Sequence, residues 1–134
     1  MTSLHDYLGD MKKCAHITSL LLSVLLAGPV LAAPPVVEAV KAEKVGMGWR
    51  FDVTIRHPDT GWDHFADGWD VVDAQGQTLG FRELMHPHVQ EQPFTRSLSN
   101  VLVPDGVRTV WIRVRCNEDG WASEGYEVKL DPGY

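Results

Sequence analysis

Apolar and polar residues alternate in two segments of the chain, and this alternation limits the fold more than any other feature. Segment 107–116 has an apolar side chain at every second position from Val110 to Cys116, and segment 49–57 shows the same period from Trp49 to Ile55. A period of two is typical of a β-strand with one buried face. Pro- and Gly-containing turns separate about seven such segments, and no long helical pattern interrupts them. We therefore predict an all-β, immunoglobulin-like or fibronectin-III-like sandwich, with a small β-barrel as the alternative.

The N-terminal residues show the order of features found in a secretory signal peptide. Lys12 and Lys13 precede an apolar run at 17–26, which ends in small residues at 27–33. Residues 1–33 are therefore predicted to be a cleaved leader, with the start at Met1 or at Met11. Residues 34–134 would then form one periplasmic or secreted domain, with no stable membrane insertion after cleavage.

Charge and cysteine content exclude some classes of partner and of stabilisation. The chain carries 18 acidic and 12 basic residues, for a net charge of −6, so nucleic acid is not an expected ligand. Of the two cysteines only Cys116 lies in the predicted domain, which excludes an intramolecular disulfide there. Cys116 has the parity of the core side of its strand, so we predict a small buried hydrophobe instead of a reactive thiol.

The stretch 84–96 is the richest in side chains able to do chemistry, and it lies between two predicted strands. All four histidines of the predicted domain fall between His57 and His88. Imidazole nitrogens suit copper and zinc, and one carboxylate can complete a ligand set. Our leading hypothesis is therefore a non-enzymatic copper or zinc site. Its candidate ligands are His86, His88, Glu91, His64 and His57.

A structural role for the same stretch is the alternative. Its histidines would then hydrogen-bond backbone groups of an irregular loop packed against the sandwich. The loop would be held by Arg82, Pro87, Pro93, Phe94 and Arg96, with the two arginines pairing with Glu91. The protein would act as an interaction module, presenting Trp111 or Trp62 to a protein partner in the cell envelope.

Two further chemistries have less support. Five aspartates at 59–73 would suit calcium, but most occupy positions typical of turns and caps. A hydrolase would need a nucleophile, and the available serines lack a Gly-x-Ser-x-Gly context. Residues 62–68 are predicted to form an ordered loop or single helical turn, followed by a strand at 69–74.

The middle third of the chain also carries an unusual combination of residues. Segments 61–71 and 79–84 precede the string His86-Pro87-His88…Glu91-Gln92-Pro93-Phe94-Thr95-Arg96. Together they are similar to a group of small exported bacterial proteins of uncharacterised function. The resemblance implies an exported protein and brings no assigned chemistry with it.

Overall fold

A computed structural model describes residues 33–133, which form eight β-strands and no helix. Apart from Ala33, the predicted leader lies outside the described residues, as does the choice between Met1 and Met11. The strands are β1 (Val36–Val45), β2 (Gly48–Arg56), β3 (Ala66–Val72), β4 (Thr78–Glu83), β5 (Phe94–Val101), β6 (Thr109–Cys116), β7 (Gly120–Trp121) and β8 (Tyr126–Lys129).

The strands form two antiparallel sheets. One sheet has three strands in the order β1-β2-β5. The other has five strands in the order β4-β3-β6-β7, and β8 also pairs with β6. Two separate sheets confirm the predicted all-β sandwich.

Inward-facing side chains of β2, β3 and β6 fill the space between the sheets. The alternation seen in the sequence appears directly in β6, where every second residue from Val110 to Cys116 is buried. Each large apolar side chain removed from water contributes roughly 1.5–3 kcal/mol to folding. The fully buried apolar residues of these strands are Phe51, Val53, Ile55, Ala66, Trp69, Val71, Val110 and Ile112.

Strand β3 begins three residues earlier than predicted, so the loop expected at 62–68 is shorter. The cause is pairing with the antiparallel strand β6. The last residue of β6, Cys116, pairs with the first residue of β3, Ala66. Residues 61–64 instead form a tight turn, in which Gly61 and His64 make an isolated bridge. This register places the start of β3 beside the end of β6.

Three loops meet at one end of the sandwich and carry most of the polar residues discussed below. They comprise residues 57–65, 84–93 and 117–119. Backbone hydrogen bonds of 3.0 Å join Leu84 N to Asp67 O and Asn117 N to Phe65 O. The His57 N–H donates to Gln92 Oε1, also at 3.0 Å. The loops are therefore tied to the strand ends and to one another.

Among residues 33–133, no helix has the length and apolar character needed to cross a membrane.

Candidate functional site

His57 extends the inward face of β2 by one position beyond the strand. Its parity follows Val53 and Ile55, so its ring enters the end of the core and is fully buried. Nδ1 lies 2.5 Å from Asp59 Oδ1. Nε2 is also buried, and it has no hydrogen-bond partner in the described part of the chain. One nitrogen is therefore held by a carboxylate, while the other is left with its bonding capacity unused.

His64 is brought against His57 by the tight turn at 61–64. His64 N donates to Gly61 O at 3.2 Å, and Thr60 N donates to His64 O at 2.9 Å. The two imidazole centroids lie 4.8 Å apart, with the planes tilted by 57°. Nε2 of His64 is 3.3 Å from Asp119 Oδ2, on a side chain that is half exposed. His64 thus lies between the buried ring of His57 and solvent.

Cys116 is the last inward-facing residue of β6 and is buried. Burial raises the pKa of its thiol, and hydrogen bonds from the backbone N–H groups of Asp119 and Glu118 oppose that rise. The nearby carboxylate of Asp119 adds to the rise, whereas the N–H groups of the 117–119 turn act as donors to the sulfur. Such donors stabilise a thiolate once its proton has been removed.

These three side chains converge. One ligand atom from each of His57, His64 and Cys116 lies within 4.8 Å of the other two, and all three residues are buried. In residues 33–133 they form the single set of three or more potential ligand side chains that comes together in this way. Imidazole nitrogen and thiolate sulfur are the donors preferred by zinc and copper, whereas calcium and magnesium prefer oxygen.

The other predicted ligands lie in a second, adjoining cluster. The rings of His86 and His88 are 4.7 Å apart. Nε2 of His88 is 3.0 Å from Nη2 of Arg96, and Arg96 also contacts both carboxylate oxygens of Glu91 at 3.3 Å. The predicted ligand set is therefore divided between two clusters, with His57 and His64 in one and His86, His88 and Glu91 in the other. Coordination by the second cluster stays a prediction.

Local charge and burial set the protonation of this second cluster. Desolvation lowers the pKa of His88, and the positive charge of Arg96 lowers it further. A hydrogen bond from Arg96 likewise lowers the pKa of Glu91. His88 is therefore held neutral against Arg96, with Nε2 as the acceptor.

The residues predicted to hold the loop have different environments. Phe94 is buried in the core, and Arg96 pairs with Glu91 as expected. The Nε atom of Arg82 is buried without a hydrogen-bond partner in the described residues. Pro87 and Pro93 flank the residues of the loop that contact His57 and Asp59.

Neither of the predicted partner-binding tryptophans belongs to these clusters. Trp62 is 68% exposed and makes an edge contact with Phe65. Trp111 is half-buried on the outer face of the five-stranded sheet, beside Gly125. Two of the aspartates weighed for calcium pair with arginines instead: Asp67 pairs with Arg115, and Asp70 pairs with Arg113.

Sequence patterns missed Cys116 as a potential ligand. They also did not predict that Asp59 and Gln92 contact His57. Cys116 and His57 each stand at the inward-facing end of a strand, and that shared parity was the available signal. The pattern does not show that β2 and β6 end at the same end of the sandwich, because strand order is a tertiary property.

No known protein-family model matches the chain. The chain is similar to a protein of Halomicrobium mukohataei named "Putative lipoprotein", with 36% identity over 98 residues. That match covers 73% of this chain and 48% of the relative, so the chain spans about half the length of the relative it matches. Among solved structures it is similar to a hypothetical protein of Pyrococcus horikoshii OT3, with 20% identity and a TM-score of 0.47 over 75% of this chain and 88% of the other.

Proposed function

We propose that this protein is an exported, non-enzymatic domain that binds a zinc or copper ion through His57, His64 and Cys116. The observation that carries the proposal is the convergence of three ligand atoms within 4.8 Å, on buried residues from two distant parts of the chain. The class of metal is the one predicted from the histidines. Of the predicted ligands, His57 and His64 are kept, and Cys116 takes the place of the others.

The unpartnered nitrogen of His57 supports this assignment. A buried donor or acceptor without a partner costs about 1–3 kcal/mol relative to one that is hydrogen-bonded. Nε2 of His57 is such an atom, whereas Nδ1 of the same ring contacts Asp59. A carboxylate on one imidazole nitrogen with a metal on the other is a recurrent arrangement in metalloproteins. A bound ion would supply the partner that Nε2 lacks.

The surroundings of Cys116 also support a metal. Burial in an apolar strand end favours the neutral thiol, while the N–H donors of the 117–119 turn favour the thiolate. A divalent ion would shift this balance, because thiolates coordinate metal ions and thiols do not. Asp119 extends the donor set on the solvent side, since its carboxylate contacts His64 and is half exposed.

The chemistry of the donors narrows the class of ion. Two imidazoles and one thiolate form a set that zinc and copper accept in tetrahedral or trigonal sites. We propose that the half-exposed carboxylate of Asp119, which contacts His64, or a water supplies a fourth donor.

Location in an exported compartment is supported by two observations of different kinds. The N-terminal sequence has the order of features of a secretory leader. The relative that bears the name "Putative lipoprotein" matches over 73% of the chain. We propose the periplasm or the extracellular medium as the place where the domain acts.

A cobalt titration of the full chain, purified without a His-tag under reducing conditions, tests this proposal. Co²⁺ substitutes for Zn²⁺, and a Co–thiolate bond gives a near-ultraviolet charge-transfer band. We expect one equivalent to bind, with the band absent in Cys116→Ser and unchanged in His86→Ala, which alters the adjoining cluster only. Failure of Co²⁺, Zn²⁺ and Cu²⁺ to bind would overturn the proposal. Loss of binding in His86→Ala with retention in Cys116→Ser would instead locate the site at His86 and His88.

The second candidate is a structural or interaction module that holds no metal. Its support is the 68% exposure of Trp62, a large aromatic side chain beside the candidate site. This second function would be favoured if the protein bound no metal. A pull-down that compares the unmodified protein with Trp62→Ala would then test for an envelope protein partner.

A further inference from the structure

Four hydrogen bonds join His57, Asp59, His88 and Gln92 into a closed ring. The His57 N–H donates to Gln92 Oε1 at 3.0 Å, and Gln92 Nε2 donates to His88 O at 2.9 Å. The His88 N–H donates to Asp59 Oδ2 at 2.8 Å, and Asp59 Oδ1 meets His57 Nδ1 at 2.5 Å. The ring links the 84–93 loop to a candidate metal ligand through two side chains that are not themselves ligands.

We infer that Asp59 and Gln92 are positioning residues of the metal site, and that the 84–93 loop forms its outer shell. This inference rests on the proposed function, because a positioning role has meaning only if His57 binds a metal. Groups that hold metal ligands by hydrogen bonds set ring orientation and tautomer, and their loss typically weakens metal affinity.

Asp59 sets which nitrogen of His57 is free. Its side chain is fully buried, and its two oxygens accept the backbone N–H groups of Ala66 and His88. A carboxylate engaged in this way acts as the acceptor for Nδ1–H of His57, which leaves the lone pair on Nε2. Nε2 is the atom without a partner, so the geometry prepares the His57 ring for a metal on that side.

Gln92 sets the position of the His57 backbone. Its amide oxygen accepts from His57 N and its amide nitrogen donates to His88 O, so both halves of the amide are used. A glutamate at this position would place an oxygen against the carbonyl of His88 and lose the donor. The side chain thereby holds the end of β2 against the loop at the point where the His57 ring enters the core.

The opposite side of the loop is fixed to the core. The ring of His88 stacks on Phe94, with centroids 3.8 Å apart, and Arg96 caps its Nε2. Asp59 and Gln92 therefore work against a rigid support, which gives their hydrogen bonds the precision that a metal site needs.

The tautomer of His57 tests whether Asp59 orients the ring, and a loss of stability alone would not switch it. We expect ¹H–¹⁵N spectra of the metal-free full chain to show His57 in the Nδ1–H form. In Asp59→Asn we expect the Nε2–H form to become populated, because one of the two amide orientations places an NH2 donor at Nδ1. Asp105→Asn is the matched control, since Asp105 is exposed, lies in the turn that follows β5 and stands outside the ring. An Nε2–H tautomer in the unmodified protein would overturn the inference.

Metal affinity gives the second test and separates the two proposals. We expect Asp59→Asn and Gln92→Glu to weaken Co²⁺ binding roughly 10- to 100-fold, and Asp105→Asn to leave it unchanged. If Asp59→Asn does not fold, the positioning role is tested by the Co²⁺ affinity of Gln92→Glu and by the His57 tautomer of the unmodified protein. Absence of binding by the unmodified protein would overturn the proposed function. If the unmodified protein, Asp59→Asn and Gln92→Glu all bind Co²⁺ equally tightly, only the positioning role is overturned.

Discussion

The imidazole of His88 lies flat on the phenyl ring of Phe94, with the centroids 3.8 Å apart and the planes 7° from parallel. The same imidazole meets Arg96 at Nε2, so one ring takes part in the core and in a polar network. Its backbone N–H donates to Asp59, beside the candidate metal ligand His57. His88 thus joins the apolar core to the polar end of the sandwich.

Loss of the His88 ring should destabilise the fold, whether or not metal is present. His88→Ala removes a buried stacked ring and one of the acceptors of Arg96, so we expect a loss of about 2–3 kcal/mol in the free energy of unfolding. Urea denaturation of the metal-free protein measures this value. His86→Ala, at an exposed neighbour, is the control and should change it by less than about 0.5 kcal/mol. Equal losses in the two variants would show that the stack on Phe94 contributes nothing specific.

Stability should depend on pH through the same ring. Desolvation, followed by the charge of Arg96, lowers the pKa of His88 in the folded state below the ordinary 6.5. The unfolded chain therefore binds the proton more tightly, and protonation favours unfolding. The contribution of His88 is present above pH 6.5 and is lost as the pH falls from 6.5 toward the folded-state pKa.

Urea denaturation of the metal-free protein between pH 5 and pH 8 measures this dependence. The slope from His88 is at most about 1.4 kcal/mol per pH unit. His88→Phe keeps a stacked ring that does not titrate, so the difference between the two profiles isolates His88. Parallel profiles across the whole range would contradict the lowered pKa.

The strands were predictable from sequence because alternation is a local consequence of backbone geometry. Segments 49–57 and 107–116 predicted β2 and β6, and the parity of Cys116 correctly placed its side chain on the core side. The two-residue strand β7 was missed, since it is too short to show any period. The start of β3 at Ala66 was also missed, because it is set by pairing with β6 and not by its own composition.

The candidate site was predictable only in part, for the same physical reason. His57 and His64 are close in sequence and were both predicted as ligands, whereas Cys116 is about fifty residues away and joins them through sheet pairing. The clustering of histidines favoured His86 and His88 as ligands. Their surroundings depend on Phe94, Arg96 and Asp59, and these contacts become visible only in the folded chain.

The ion pair between Asp70 and Arg113 should show an asymmetric response to substitution. Asp70 is buried on the five-stranded sheet and meets Arg113 at 2.6 and 3.1 Å, while Arg113 remains 30% exposed. This hydrogen-bonded pairing raises the pKa of Arg113. Arg113→Met leaves a buried carboxylate unpaired, so we expect a loss of about 3 kcal/mol. Asp70→Asn leaves a cation that can still be hydrated, so we expect about 1 kcal/mol.

Thermal or urea unfolding measures the stability of the two single variants and of the double variant. Together these values give the coupling free energy between Asp70 and Arg113. The double variant should be less destabilised than the sum of the single variants. A greater loss from Asp70→Asn than from Arg113→Met would contradict the argument from burial.

Metal binding should release a proton from Cys116. Burial raises the pKa of its thiol, so the metal-free protein carries S–H at neutral pH and coordination must displace that proton. We expect about one proton per ion at pH 7, and an apparent affinity that rises about tenfold per pH unit below the thiol pKa. Isothermal titration calorimetry in buffers of different ionisation enthalpy measures the proton count. We expect Cys116→Ser to release almost no proton from position 116 and to bind the metal ion more weakly. Tight stoichiometric binding by the unmodified protein with no proton release would show that the Cys116 thiol is not a ligand.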